Sequence, residues 1–269
     1  RIVVTADGKN NLFNAPLWAA SLGRVDRDLT ESGGRATTPP SGVAVATYAV
    51  EAIGVIDFAT IDGVRPKDSN FRTSALSLFQ LTATFGAAGD CFVGGTVAFS
   101  GTPTLEVFTR EMIELPQIGA DGVAQFTSPI MLRKTSFQEV AMAASNPNFQ
   151  MDLPAGNLLK SVLFRGEGSV TAGEPSTGVI NNVQLAASAG QDVRWNLSGP
   201  QMRAQNNADF GQVLAGYYMA DVTKNGPSPI HLTDLWDLTG LIQPKAILDV
   251  TGGANNKVQA VITEYIPAR

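Results

Sequence analysis

Thr104-Leu-Glu-Val-Phe-Thr-Arg-Glu-Met-Ile113 and Lys257-Val-Gln-Ala-Val-Ile-Thr-Glu-Tyr-Ile266 decide how this chain is read. Val107-Phe108-Thr109 matches Val261-Ile262-Thr263, and Glu111-Met112-Ile113 matches Glu264-Tyr265-Ile266. The match needs Arg110 as one extra residue, which a β-bulge absorbs. A proline follows each copy, at Pro116 and Pro267, and a strand-like segment with a Gly-containing turn precedes each. The same closing hairpin used twice predicts two similar β-domains in tandem.

The flanking sequence reads as short strands and turns. Phe149, Met151 and Leu153 alternate cleanly and face one way. Pro154-Ala-Gly-Asn157 is a turn before the strand at 158–165, and a Gly-rich passage follows to Gly178. Residues 179–197 make a hairpin about Ser188-Ala-Gly190, with Val193, Trp195 and Leu197 on one side and Ser198-Gly-Pro200 ending it. Residues 245–251 and 257–266 form the last hairpin. In the first half, 74–85 and 92–99 are strand-like, and Pro16 opens a short helix with Leu17, Trp18 and Leu22 on its apolar side. Residues 30–42 are loop. Single helical turns are expected at 209–214 and 232–238. Seven or more short strands at regular spacing predict an all-β sandwich or jelly roll.

Gln117-Ile-Gly-Ala-Asp-Gly122 is the candidate linker, giving a first domain over 1–118, a linker over 119–128 and a second domain over 129–269. A single jelly roll with an accessory domain is the alternative, because residues before Val43 do not map onto a first jelly roll.

Composition narrows the chemistry. Charged residues are 16% of the 269, against a usual quarter, and Gly and Pro number 27 and 15. A surface so poor in charge relies on Ser, Thr, Asn, Gln and apolar groups, which suits burial against copies of itself. The formal charge of −5 and scattered basic residues give no footprint for nucleic acid. No apolar run approaches the length of a membrane helix, and Arg1-Ile-Val-Val-Thr5 has no signal-peptide pattern.

Cys91 and His231 are the only cysteine and histidine. Cys91 reads as a buried small hydrophobe, His231 as a structural residue beside apolar neighbours. Together they exclude an intrachain disulfide, cysteine clusters and multi-histidine metal sites. No P-loop, dinucleotide fingerprint or nucleophile elbow is present. Glu106, Glu111, Glu114, Glu139 and Glu264 are candidate paired acids for a polysaccharide hydrolase. Trp18, Trp195 and Trp236 are few for a sugar-stacking cleft. Asp234 and Asp237 are candidate calcium ligands but read first as helix-start acids in a loop turn, and Asp7-Gly-Lys-Asn-Asn11 resembles half of a calcium loop without its remaining ligand positions. Asn196-Leu-Ser198 is a lone sequon. These residues assign no catalytic group and no cofactor site, and leave metal binding open.

From Arg133 onward the chain resembles the double jelly-roll major capsid proteins of membrane-containing icosahedral viruses and bacteriophages. Phe149-Gln-Met-Asp-Leu-Pro-Ala-Gly-Asn157 leading into 158–165 is similar to a family strand that ends in Leu-Pro and a Gly turn; 179–200 resembles the next hairpin, and 246–266 the closing pair. The repeat at 105–113 extends the resemblance to the first half. It implies an all-β chain of two tandem antiparallel jelly-roll sandwiches with short helices in the connections. It also implies a non-enzymatic virion protein whose homotrimers are pseudo-hexagonal tiles, packing with neighbouring capsomers and other virion proteins around an internal membrane or genome. A trimeric β-sandwich binding module, lectin or spike, and a carboxylate-based hydrolase are the rival readings.

Overall fold

The computed structural model describes residues 1–8, 10–21, 54–56, 58, 71, 73, 76–88, 98–109, 117, 118, 120, 122, 124, 125, 131–168, 174–210, 214–222 and 235–267. In chain order these form β1 (Ile2–Ala6), β2 (Asn10–Ala15), α1 (Leu17–Ser21), β3 (Phe79–Ala83), β4 (Gln117–Ile118), β5 (Ala124–Gln125), β6 (Met131–Ala141), β7 (Asn146–Asp152) and β8 (Leu158–Glu167). They continue with β9 (Ile180–Ala187), β10 (Asp192–Ser198), α2 (Gly199–Phe210), β11 (Tyr217–Asp221), β12 (Trp236–Asp237), β13 (Lys245–Val250) and β14 (Lys257–Pro267).

From β6 onward the strands make a complete jelly roll. One sheet runs β11-β8-β14-β6 and the other β10-β9-β13-β7, all antiparallel, with the chain passing between sheets as two Greek keys require. Between them lies a core of Leu159, Val162, Phe164, Val183, Leu185, Tyr218, Trp236, Leu248, Val258 and Ile262. The alternation expected at Phe149, Met151 and Leu153 holds: Met151 and Leu153 are buried and Phe149 packs partly against this core. In β10 the register shifts between Val193 and Trp195. Trp195 and Leu197 keep their core contacts, whereas Val193 is exposed. A bulge corrects the simple alternation there.

The β11-β8-β14-β6 sheet is buried on its other face too. Leu163, Val261, Tyr217 and Met219 point away from the first core and meet Ile2, Val4, Phe13, Ala15, Ala19 and Ala20 from β1, β2 and α1. That two-sided burial is why Ser161-Val-Leu-Phe164 reads as a continuous apolar-to-neutral run rather than an alternating one. β2 joins β6 in parallel through Phe13 and Thr135, and β1 and β3 extend the sheet beyond it. In α1, Trp18, Ala19 and Ala20 face the protein while Leu17 is exposed, so the apolar side differs from that expected, and Leu22 lies outside the described residues.

Several local expectations change. The second repeat copy is β14, paired on both sides and buried. The described part of the first copy, residues 104–109, has no strand pairing and is exposed; residues 110–113 lie outside the described residues. The expected linker carries a small hairpin, β4 with β5, turning near Gly122 at φ +75°. Of the helical turn expected at 232–238, residues 232–234 lie outside the described residues, and Trp236–Asp237 are instead β12, paired to β8.

The turn expected at 209–214 belongs in its first residues to α2, twelve residues long. Its start carries one half of a capping box: Gln201 Oε1 reaches back to accept from the Ser198 N–H, and from its hydroxyl, at 3.0 Å. Pro200 sits in the first turn, where its missing N–H is harmless.

Gly216 leads into β11 at φ +81°, and a Cβ there would lie 2.6 Å from the Ser176 nitrogen. Left-handed backbone and backbone overlap act together. Gly216→Ala is expected to lose about 2–4 kcal/mol, the sum of the conformational and overpacking costs. A fall in the urea midpoint with unchanged slope checks it.

Candidate functional site

Among the described residues, the polar groups that the sequence offered do not converge. Glu139 on β6 stands opposite Gln259, and Glu264 on β14 stands opposite Lys134, five rungs further along the same ladder. At about 3.4 Å per residue that is roughly 17 Å, too far for the 5–10 Å of a carboxylate pair in glycoside hydrolysis. Both are engaged: Gln259 Nε2 donates to Glu139 Oε2 at 2.5 Å, while Lys134 Nζ lies 2.9 Å from Glu264, which also accepts from Asn157 at 2.7 Å. Glu106 is exposed on the unpaired segment. Glu111, Glu114, Asp234, Cys91 and His231 lie outside the described residues.

Asp237 is exposed at the end of β12 and accepts the Thr239 N–H at 2.8 Å. The Thr239 side chain and N–H hold its carboxyl below the usual range. Asp7, at φ +50° in the β1–β2 turn, accepts from Ser77 N–H, Ser77 hydroxyl and Leu78 N–H at 2.8, 2.8 and 3.1 Å. Each is a turn acid by its partners. Among the described residues no three Asp, Glu, His or Cys side chains gather around a common point.

The three tryptophans serve packing. Trp236 lies in the core between the sheets, with its N–H 3.3 Å from Asp192 Oδ2. Trp195 donates to Met202 Sδ at 2.7 Å. Trp18 packs edge-on to Phe137 and Tyr217 and beneath the Arg165 guanidinium, 5.1 Å from its ring centre.

Sequence reasoning missed the buried charges of β8. Arg165 pairs with Glu167 and donates to Gln259 Oε1 at 2.9 Å, extending a polar row across β8, β14 and β6 to Glu139. Lys160 is fully buried, with Nζ 3.4 Å from Asp221 Oδ2 on β11. It is the extra residue where β8 and β14 shift register, since Thr263 opposes Ser161 and Glu264 opposes Leu159. Tyr218 donates to the Thr177 carbonyl at 3.1 Å, and burial raises its pKa. These groups fix strand positions.

The open outer face of β7, β13, β9 and β10 presents amides. Asn182, Gln184, Asn196, Ile247 and Asp249 line a shallow depression there, with Asn196 of the sequon exposed at its side.

No protein-family model matches the chain, and no curated protein matches its sequence. Solved structures do. The crystal structure of the STIV MCP matches 99% of this chain and 78% of its own, with a TM-score of 0.56 at 13% identity. The major capsid protein P2 from bacteriophage PM2 matches 100% of this chain and 81% of its own, with a TM-score of 0.50 at 10% identity. In the atomic structure of Sulfolobus Turreted Icosahedral Virus, a chain 18% identical matches over 56% of this one, which spans 42% of that chain's length, at a TM-score of 0.41. The chain shares the jelly-roll fold of the first two along nearly its whole length.

Proposed function

We propose that this chain is a major capsid protein, a non-enzymatic structural component of an icosahedral virion. The carrying observation is the complete jelly roll over 131–267 within a whole-length likeness to two capsid proteins. In this reading residues 1–118 supply the first jelly roll with an N-terminal arm, 119–128 link the halves, and 129–269 are the second. The homotrimer is a pseudo-hexameric tile packing with neighbouring capsomers and other virion proteins around a membrane or genome. Low charge, an amide-rich outer sheet and buried polar rows that only position strands favour assembly over turnover.

Light scattering on the purified 28.3 kDa chain tests this. A stable species of about 85 kDa, three times the subunit mass, is expected. A monomer at every concentration would remove the tile.

A further inference from the structure

The large sheet ends in two edges that are finished differently. At β11 the edge is closed: buried Asn206 of α2 donates to the Met219 carbonyl at 2.7 Å and accepts the Met219 N–H at 2.8 Å. At the other end stands β3, which among the described residues pairs only with β1, over five residue pairs without a register shift. Its sequence, Phe79-Gln-Leu-Thr-Ala83, has no lysine, proline or bulge of the kind that guards a free edge. Pairing of Val4 with Leu81 and of Ala6 with Phe79 places Leu81 and Phe79 on the face of Ile2 and Val4. The apolar layer buried across β8, β14 and β1 thus runs out to the edge, where Phe58 and Phe71 pack on Phe79 yet leave it 40% exposed, and Leu81 beside it is 38% exposed.

A matching strand exists in the same chain. Residues 104–108, Thr-Leu-Glu-Val-Phe, repeat the pattern that forms β14, yet they have no strand partner among the described residues. Leu105, Val107 and Phe108 are 45%, 54% and 89% exposed. In β14 the corresponding sequence is flanked on both sides.

We propose that residues 104–108 of one copy add as a strand to the β3 edge of a second copy. Main-chain hydrogen bonds would supply the contact, and alternate side chains, Leu105 and Val107, would extend the apolar layer over Phe79 and Leu81. The contact is head-to-tail, since edge and strand are different surfaces, and a head-to-tail contact whose rotation closes after three copies gives a trimeric ring. It rests on the trimer reading and names the surface that holds the trimer.

Two variants and their mixture test it. Val107→Pro removes an N–H from the donated strand, and Leu81→Lys places a charge on the accepting edge. Each is expected to run at 28.3 kDa with its β-sheet circular dichroism intact, a threefold fall from the wild-type mass. Mixed in equal amounts, they are expected to give a species of about twice that mass, because one retains the edge and the other the strand. Wild-type amides at 104–108 should exchange at least about tenfold more slowly than in the Leu81→Lys monomer. Should either variant lose its fold, slow exchange at 104–108 in the wild-type trimer supports the contact and fast exchange overturns it. Trimeric variants, or a mixture that stays monomeric, overturn this contact and leave the trimer standing. A monomeric wild type overturns both.

Discussion

Asp221→Ala is expected to destabilise the chain by about 3–5 kcal/mol, the loss usual when one partner of a buried ion pair is removed. Lys160 is fully buried between β11 and β14, and the Asp221 carboxylate 3.4 Å from its Nζ is removed by this change. The residue cannot swing out to water, because it occupies the bulge that the β8–β14 register shift creates. Removing the carboxylate therefore takes a counter-charge away from an ammonium in a low-dielectric site. The double variant Lys160→Met with Asp221→Leu is expected to recover most of the loss, within about 1–2 kcal/mol of wild type, since an apolar pair needs no desolvation. Urea unfolding of Lys160→Met, Asp221→Leu and the double variant forms a complete cycle. Equal losses in the Asp221→Ala and double variants would show that the charge pair itself is not what holds β8 to β11.

The same strand shows what the sequence carried and what it hid. The jelly-roll strands β7 to β10, β13 and β14 were legible because alternation at Met151, Leu153, Trp195 and Leu197 and turn residues mark them, whereas β11 was not read and β12 was expected as a helical turn. β8 was legible as a strand but not as a two-sided one: Lys160 and Arg165 look like surface residues until β11 and β14 supply partners from 61 and 94 positions away. Those partners are non-local, so no window of sequence contains them. Helix α2 was missed although its signal stood in Ser198-Gly-Pro-Gln201, one half of a capping box. Its body, Gln201-Met-Arg-Ala-Gln-Asn-Asn-Ala-Asp209, is polar nearly all round, burying only Met202 and Asn206 beyond Gly199, so no apolar stripe announced it. The repeat at 104–113 gave the right fold class through its second copy alone. The described candidate acids scattered because strand spacing separates residues along and across a sheet: Glu139 and Glu264 stand five rungs apart, an odd number that puts them on opposite faces.

Trp236→Ala is the second large expected loss, about 3–5 kcal/mol for removing a large buried aromatic. The ring is 1% exposed beneath β8, where β12 pairs Trp236 with Leu159, and its N–H points to Asp192 at the start of β10. One side chain thus ties the segment before β13 to both sheets. Trp236→Phe keeps most of the apolar volume and loses the polar contact, so a smaller loss of about 1–2 kcal/mol is expected. Trp18 provides the control. It packs in the second apolar layer against Phe137 and Tyr217, between the first-half strands and the jelly roll, and is only partly buried. Trp18→Ala should therefore loosen β1, β2 and α1 while the 131–267 core persists, giving a smaller shift in the main urea transition than Trp236→Ala. Equal shifts for the two would mean that the two layers unfold as one cooperative unit; a Trp236→Ala midpoint close to wild type would mean that residues 235–238 do not seal the jelly roll.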